Sequence, residues 1–269
     1  SNRTQLENVN NNLSSHFKIV NDIDLTDIIY DKALIAFSTG TGAGFEGTKF
    51  TGTLDGDGFK IINMNINGGT NNYLGLFGNI GNGAEVHNLL LENCSIAGDQ
   101  YVGSLAGRID GVNPLIDSIQ CAGTVNGINF VGGLIGSITG PTIMIRQCAS
   151  SAQVNGETYV GGLLGSNDGG TLERSFALGN TGGISYIGGL TGDNNVGTIA
   201  NCYARGNATG VERIGGLVGE NSNSGVVTNS FSTGQVNASG SFNGGLIGNN
   251  SSGTISNSFW DTETSGKTT

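Results

Sequence analysis

Residues 186–219 read YIGGLTGDNNVGTIANCYARGNATGVERIGGLVG, and the phrase that opens this stretch returns at its end. Working outward, the phrase recurs as YLGLFG from Tyr73, YVGSLAG from Tyr101, FVGGLIG from Phe130, YVGGLLG from Tyr159 and FNGGLIG from Phe242. Its closing glycines stand at 78, 107, 136, 165, 192, 219 and 248, in steps of 29, 29, 29, 27, 27 and 29. A second phrase follows the later copies: GTLERSFALG from Gly170, GTIANCYARG from Gly197, GVVTNSFSTG from Gly225 and GTISNSFWD from Gly253. Self-similarity at so regular a period marks a repeat architecture.

Each unit holds two or three short runs of alternating apolar residues separated by Gly, Asn, Ser and Asp, the pattern of strands joined at tight corners. Units this short cannot build a four-stranded propeller blade, which takes about 40–45 residues. They suit one coil of an all-β, parallel β-solenoid, and the handedness of parallel crossovers favours a right-handed β-helix. About nine coils at ~4.8 Å each predict a rod roughly 43 Å long. The Gly-Gly pairs (Gly161-Gly162, Gly188-Gly189, Gly215-Gly216) mark places where no side chain fits or φ is positive. Leu134, Leu163, Leu190, Leu217 and Leu246 form an inward leucine ladder, and Asn201, Asn229 and Asn257 share a slot suited to an amide ladder.

Glycine supplies 49 of the 269 residues and asparagine 33, with only 2 prolines. Collagen is excluded, because glycine keeps no three-residue period. Charged residues are 12% and apolar ones 36%, which is enough apolar material for a core. The net charge of −10 disfavours phosphate backbones and anionic lipid, so neither nucleic-acid binding nor membrane insertion is expected. No apolar run approaches the ~20 residues of a membrane helix. The chain opens on Ser1-Asn2-Arg3 without a basic, apolar targeting segment, compatible with a cytosolic chain or with a signal already removed.

Three regions follow. Residues 1–15 read as an N-terminal cap helix, with Thr4 and Glu7 as a capping box and Leu6, Val9 and Leu13 on one face over the open core. Residues 16–72 read as irregular opening coils, interrupted by a long excursion over 27–49, and 73–269 as the regular solenoid. No comparable cap is expected beyond Trp260, so further domains are expected to flank the segment.

Candidate chemistry is sparse. Cys94, Cys121, Cys148 and Cys202 stand 27, 27 and 54 residues apart, multiples of one repeat, and read as buried small hydrophobes, with disulfides between neighbouring coils open. Gly42-Ala43-Gly44-Phe45-Glu46-Gly47 fits GxGxxG, but a strand-like run follows it where a dinucleotide site needs a helix. His16 and His87 lack partners for a metal or triad, and Asp55-Gly56-Asp57-Gly58 reads as a tight turn. After each leucine phrase comes a polar corner: Asn167-Asp168, Asp193-Asn194, Glu220-Asn221, Asn249-Asn250. Stacking aligns Asp168, Asp193 and Glu220 as candidate calcium ligands, although turn chemistry alone explains the same composition. Asp99, Arg108, Asp110 and Asp117 are the one place where charges thicken within a coil, the minimum for a polysaccharide-cleaving groove. No catalytic residue and no cofactor is assigned, calcium excepted as a possibility.

The repeated phrases resemble the GLUG motif, named after its G-L-x-G core, as in Gly162-Leu163-Leu164-Gly165 and Gly216-Leu217-Val218-Gly219. The resemblance covers about residues 73–266, with FTGTLDGDGFKIINM similar to the usual lead-in. It implies a β-helical module of secreted or surface proteins of bacteria, such as haemagglutinin-like adhesins and the non-catalytic parts of IgA-specific metallopeptidases. The function it implies is a non-enzymatic, extracellular or cell-surface adhesion or spacer module, whose partner is a host or neighbouring-cell protein or glycan. The alternative is a carbohydrate-active solenoid, either a polysaccharide lyase or a glycan-binding protein.

Overall fold

The coil from Thr158 to Gly182 sets the pattern for the computed structural model, which describes residues 1–40, 42 and 44–268. Five short strands follow one another around it: Thr158–Gly161, Leu164–Asp168, Thr171–Glu173, Phe176–Ala177 and Thr181–Gly182. Each pairs in parallel with its counterpart in the coils before and after. Thus Val131, Val160, Ile187 and Ile214 stack as one inward column, and Ile145, Leu172, Ile199, Val227 and Ile255 as another. Among the described residues the first strand of each coil joins a six-stranded sheet, here the aromatic sheet. The second joins a seven-stranded motif sheet, and the remaining three build a 22-stranded wall of three ladders.

The motif sheet counts seven complete turns, from Phe77–Ile80 to Ile247–Asn250, where nine coils are expected from the sequence. The difference lies at the start. His16–Lys18 and Thr53–Asp55 add two rungs to the wall, pairing with each other and then with Glu85–Ala97, but no motif-sheet strand belongs to them. Within the expected excursion, Ile29–Tyr30 already pairs with Asn65–Asn67, and Leu34, Ile35 and Ala36 are buried. The GxGxxG stretch includes Ala43, which lies outside the described residues.

The helix at the N-terminus is Arg3–Glu7, continued by a 3-10 turn over Asn8–Asn11. Asn2, rather than Thr4, caps it: its Oδ1 accepts the Gln5 N–H at 2.9 Å. Glu7 is instead engaged by the Tyr30 hydroxyl at 2.9 Å. Leu6 and Val9 are buried and Leu13 packs against the core behind them. At the other end, where no cap is expected, Trp260 lies over Gly245 and a one-turn helix, Thr262–Ser265, follows with Asp261 as its N-cap.

The leucine ladder is present, each residue no more than 5% exposed, and it runs through Leu76, Leu105, Leu134, Leu163, Leu190, Leu217 and Leu246. Backbone bonds at the corner join successive leucines, Leu163 N–H donating to Leu190 O at 2.9 Å, for instance. Burying a leucine side chain contributes about 1.5–3 kcal/mol, so this column is a principal source of stability. The Gly-Gly pair beside it answers a steric demand and not a positive φ: a Cβ at Gly161 would run into the Leu164 carbonyl.

All four cysteines are free and buried, and burial pushes the thiols up, to about 11 at Cys121 and about 12 at Cys148 and Cys202. They do not share one ladder. The wall advances 29 residues where Cys94 faces Gly123 and Cys121 faces Ser150, so a 27-residue spacing slips by two positions. Only Cys148 and Cys202 fall in one slot, with Ser175 between them, because the wall there advances by 27 (Ala149 to Phe176 to Tyr203).

Candidate functional site

Two chemical features line the outside of the motif and aromatic sheets. The first is a stack of rings. Tyr73, Tyr101, Phe130, Tyr159 and Tyr186 lie on successive rungs, with centroids 4.7, 4.9, 4.8 and 4.6 Å apart. Arg213 takes the next slot, its guanidinium 4.8 Å from the Tyr186 ring and 5.3 Å from Phe242. Every one of these seven residues has φ between 56° and 61°. Left-handed backbone is uncommon for bulky side chains. Ring stacking offsets the strain, at about 0.5–1.5 kcal/mol per pair. Of the two readings open for the Gly-Gly pair, the steric one holds, and the positive φ falls two residues earlier. The recurring aromatic before apolar-Gly-Gly is the signal that marks it.

The second feature is the outward column of the motif sheet: Asn79, Arg108, Ser137, Ser166, Asp193, Glu220 and Asn249. Asp193 and Glu220 therefore sit on adjacent rungs of one column. Asp168 lies in the next column over, where its Oδ1 accepts from Asn195 Nδ2 at 2.9 Å. Glu220 is already engaged: Oε2 faces Arg213 Nε at 2.9 Å, and Oε1 accepts from Asn249 and Ser251 at 3.2 and 3.1 Å. Burial, then the charges of Glu220 and Asp168, push Asp193 up to about 7. Among the described residues no group of three His, Cys, Asp or Glu side chains is placed to hold a metal ion.

Of the charges that thicken in one coil, Arg108 and Asp110 stay together while Asp99 and Asp117 lie elsewhere. Asp110 pairs with Lys49 at 2.5 Å and with Arg108 at 3.7 Å at the end of the motif sheet. Asp117 belongs to the wall and pairs with Arg146 at 2.8 Å. Asp99 sits at the corner before Gln100–Val102. His87 meets Asp55 at 3.2 Å, and Asp55 also closes the expected turn by accepting the Asp57 N–H.

The amide ladder exists, but not at Asn201, Asn229 and Asn257, which turn corners with φ of 55°, 48° and 47°. It runs instead through the polar corners. Asn167 donates to Asn194 at 2.9 Å, Asn194 to Asn221 at 2.8 Å and Asn221 to Asn250 at 2.9 Å, while each also donates to a glycine carbonyl of its own corner. The slot before Asn167 holds Ile138, which leaves Asn167 Oδ1 without a donor.

Comparison with known proteins agrees with this architecture. A 131-residue stretch is 34% identical to Halomucin of Haloquadratum walsbyi, covering 45% of this chain and 1% of that protein. A 122-residue stretch is 36% identical to a "Putative Gly-rich membrane protein" of Evansella cellulosilytica, covering 40% of this chain and 12% of the relative. The chain thus spans only a small part of these relatives. A solved structure described as a "putative immunoglobulin A1 protease" from Bacteroides ovatus superposes with a TM-score of 0.59 at 20% identity, over 96% of this chain and 73% of the other, which shows a shared fold. Residues 210–237 match the family model described as the GLUG motif, and the leucine phrase in that span recurs in register along the motif sheet, so this β-solenoid carries a GLUG motif.

Proposed function

We propose that the chain is a non-enzymatic adhesion or spacer module of a larger cell-surface protein. The observation that carries this reading is the dispersal of its charges. Asp110, Asp117 and Glu220 lie on different columns or sheets, each held by a neighbouring basic group. The one carboxylate pair on adjacent rungs, Asp193 and Glu220, is not free for glycoside cleavage in this reading, because Glu220 is already held by Arg213, Asn249 and Ser251. The names of the two relatives, a mucin-like name and a membrane protein, support placement outside the cell or at its surface. Among the described residues no helix is long and apolar enough to cross a membrane. The partner in this reading is a protein or glycan of a host or neighbouring cell, and no cofactor is needed.

The test is a turnover screen on acidic polysaccharides, with calcium and with chelator, run beside binding of the labelled protein to cells and to a glycan array. Saturable binding without turnover is expected. Calcium-dependent release of unsaturated sugars overturns the reading and favours a lyase.

A further inference from the structure

On the third ladder of the wall the outward positions between Thr124 and Asn237 are Asn, Gln, Thr and Gly without a single charge, in a chain of net charge −10. At its centre is a shallow groove of about 320 Å³ bordered by Asn155, Asn180, Asn207 and Thr209. Its floor is Gly182, the one position in the column Asn126–Asn155–Gly182–Thr209–Asn237 with no side chain.

The amides around this notch are held in place. Asn180 Oδ1 accepts the Asn207 N–H at 2.9 Å, and Asn207 Oδ1 accepts the Gln235 N–H at 3.0 Å. Both exposed side chains are thereby fixed by backbone of the following rung, with their Nδ2 groups left as outward donors. Asn155 is fixed the other way: its Nδ2 donates to Asn126 at 3.2 Å, leaving Oδ1 as an acceptor beside Gly182. Along the adjoining corner Ile184 and Val211 are 51% and 44% exposed, with Glu157 in the rung before them.

We propose that this groove binds a neutral glycan lying along the solenoid. Sugar hydroxyls both donate and accept, matching two fixed donors and a fixed acceptor. The C–H faces of a pyranose suit Ile184 and Val211. An uncharged floor fits a neutral chain better than an anionic one, which the net charge repels. Amides already locked by backbone lose little freedom on binding, the condition under which a few hydrogen bonds yield useful affinity. The stacked rings on the other side are less suited: each interior ring has both faces covered by its neighbours, leaving only edges for a ligand.

This proposal rests on the adhesion reading and names its ligand class. The probe is an array of neutral β-glucans, mannans and galactans printed beside sialylated and uronic-acid glycans, read with wild type and three variants. Gly182→Thr fills the notch with the residue type found one rung later, where the same backbone carries Thr209. The pair Asn180→Asp and Asn207→Asp keeps the acceptor for the backbone N–H and removes the donors. Asp168→Asn, on the motif sheet, is the control. Binding to a neutral glycan that falls at least tenfold in the first two variants, with melting temperatures and the control unchanged, supports the proposal. Neutral binding that survives both variants overturns the site. Binding to cells with no neutral glycan retained overturns the proposal but leaves the adhesion reading standing, whereas turnover of any printed glycan overturns both.

Discussion

Replacing Asn194 by alanine removes one rung of the buried amide ladder, and the cost follows from what is left behind. Asn194 is fully buried; it accepts from Asn167 and donates to Asn221 and to the Gly197 carbonyl. The Gly197 carbonyl retains the Val226 N–H at 2.8 Å, so it is not orphaned. One N–H of Asn167 and the Oδ1 of Asn221 are. At about 1–3 kcal/mol for each buried group left unpaired, Asn194→Ala should destabilise by about 4 kcal/mol, close to three decades in the folding equilibrium. Asn250→Ala is the internal comparison. It deletes the exposed last rung, where water replaces the lost partner, and should cost about 1 kcal/mol or less. Urea denaturation followed by circular dichroism and by Trp260 fluorescence measures both, the two probes testing whether the coils unfold together. If Asn194→Ala and Asn250→Ala differ by less than the error of extrapolation, the ladder is a by-product of corner geometry and contributes nothing of its own.

Leu163→Asp or Leu217→Asp should abolish cooperative unfolding, because each puts an unpaired charge into the buried column, while Asp168→Ala should be nearly silent; leucine variants that melt like wild type refute the assignment. For Asp193 the folded pKa, about 7, lies above the usual 3.8, so its protonated form favours folding in acid and this contribution is lost as pH rises from about 4 through 7. Asp193→Asn should therefore raise the denaturation midpoint at pH 8 and leave it nearly unchanged at pH 4, and an equal shift at both would show that Asp193 is ionised throughout. Deleting residues 1–14 uncovers the surface beneath Leu6 and Val9 and should promote aggregation, read by light scattering at matched concentration; a truncated chain that stays monomeric removes the helix from the role of cap.

The solenoid was legible because its main determinant is periodic: leucine at one slot of every phrase, followed by glycine that lets two sheets approach. The seven closing glycines locate the motif sheet without a structure. What sequence could not settle was the direction of side chains past a corner. Alternation assigns faces only while the strand is straight, and the left-handed residue at Arg174, Asn201 or Asn229 resets it. Hence Asn194 and Asn201 look equivalent on paper, although the first is inside and the second turns the chain. The cysteines failed for a related reason: a 27-residue spacing is a full coil late in the chain but two residues short of one earlier. The carboxylates were mistaken for a stripe because adjacent polar residues of one corner point to different columns, which separates Asp168 from Asp193 and Glu220.

The parallel pairing of successive rungs also decides how the module would answer a mechanical load. Tension applied between its two ends pulls along the hydrogen bonds that join one coil to the next, and each strand pairs only with those of the coils before and after it. Failure then begins at an end and travels inward one coil at a time, each step freeing 27 or 29 residues, roughly 90 Å of extended chain. A tether built this way lengthens in instalments under strain and rewinds from the coils still standing, so a force–extension trace should show a sawtooth of equal spacing, where a single abrupt rupture would mean that the turns give way together.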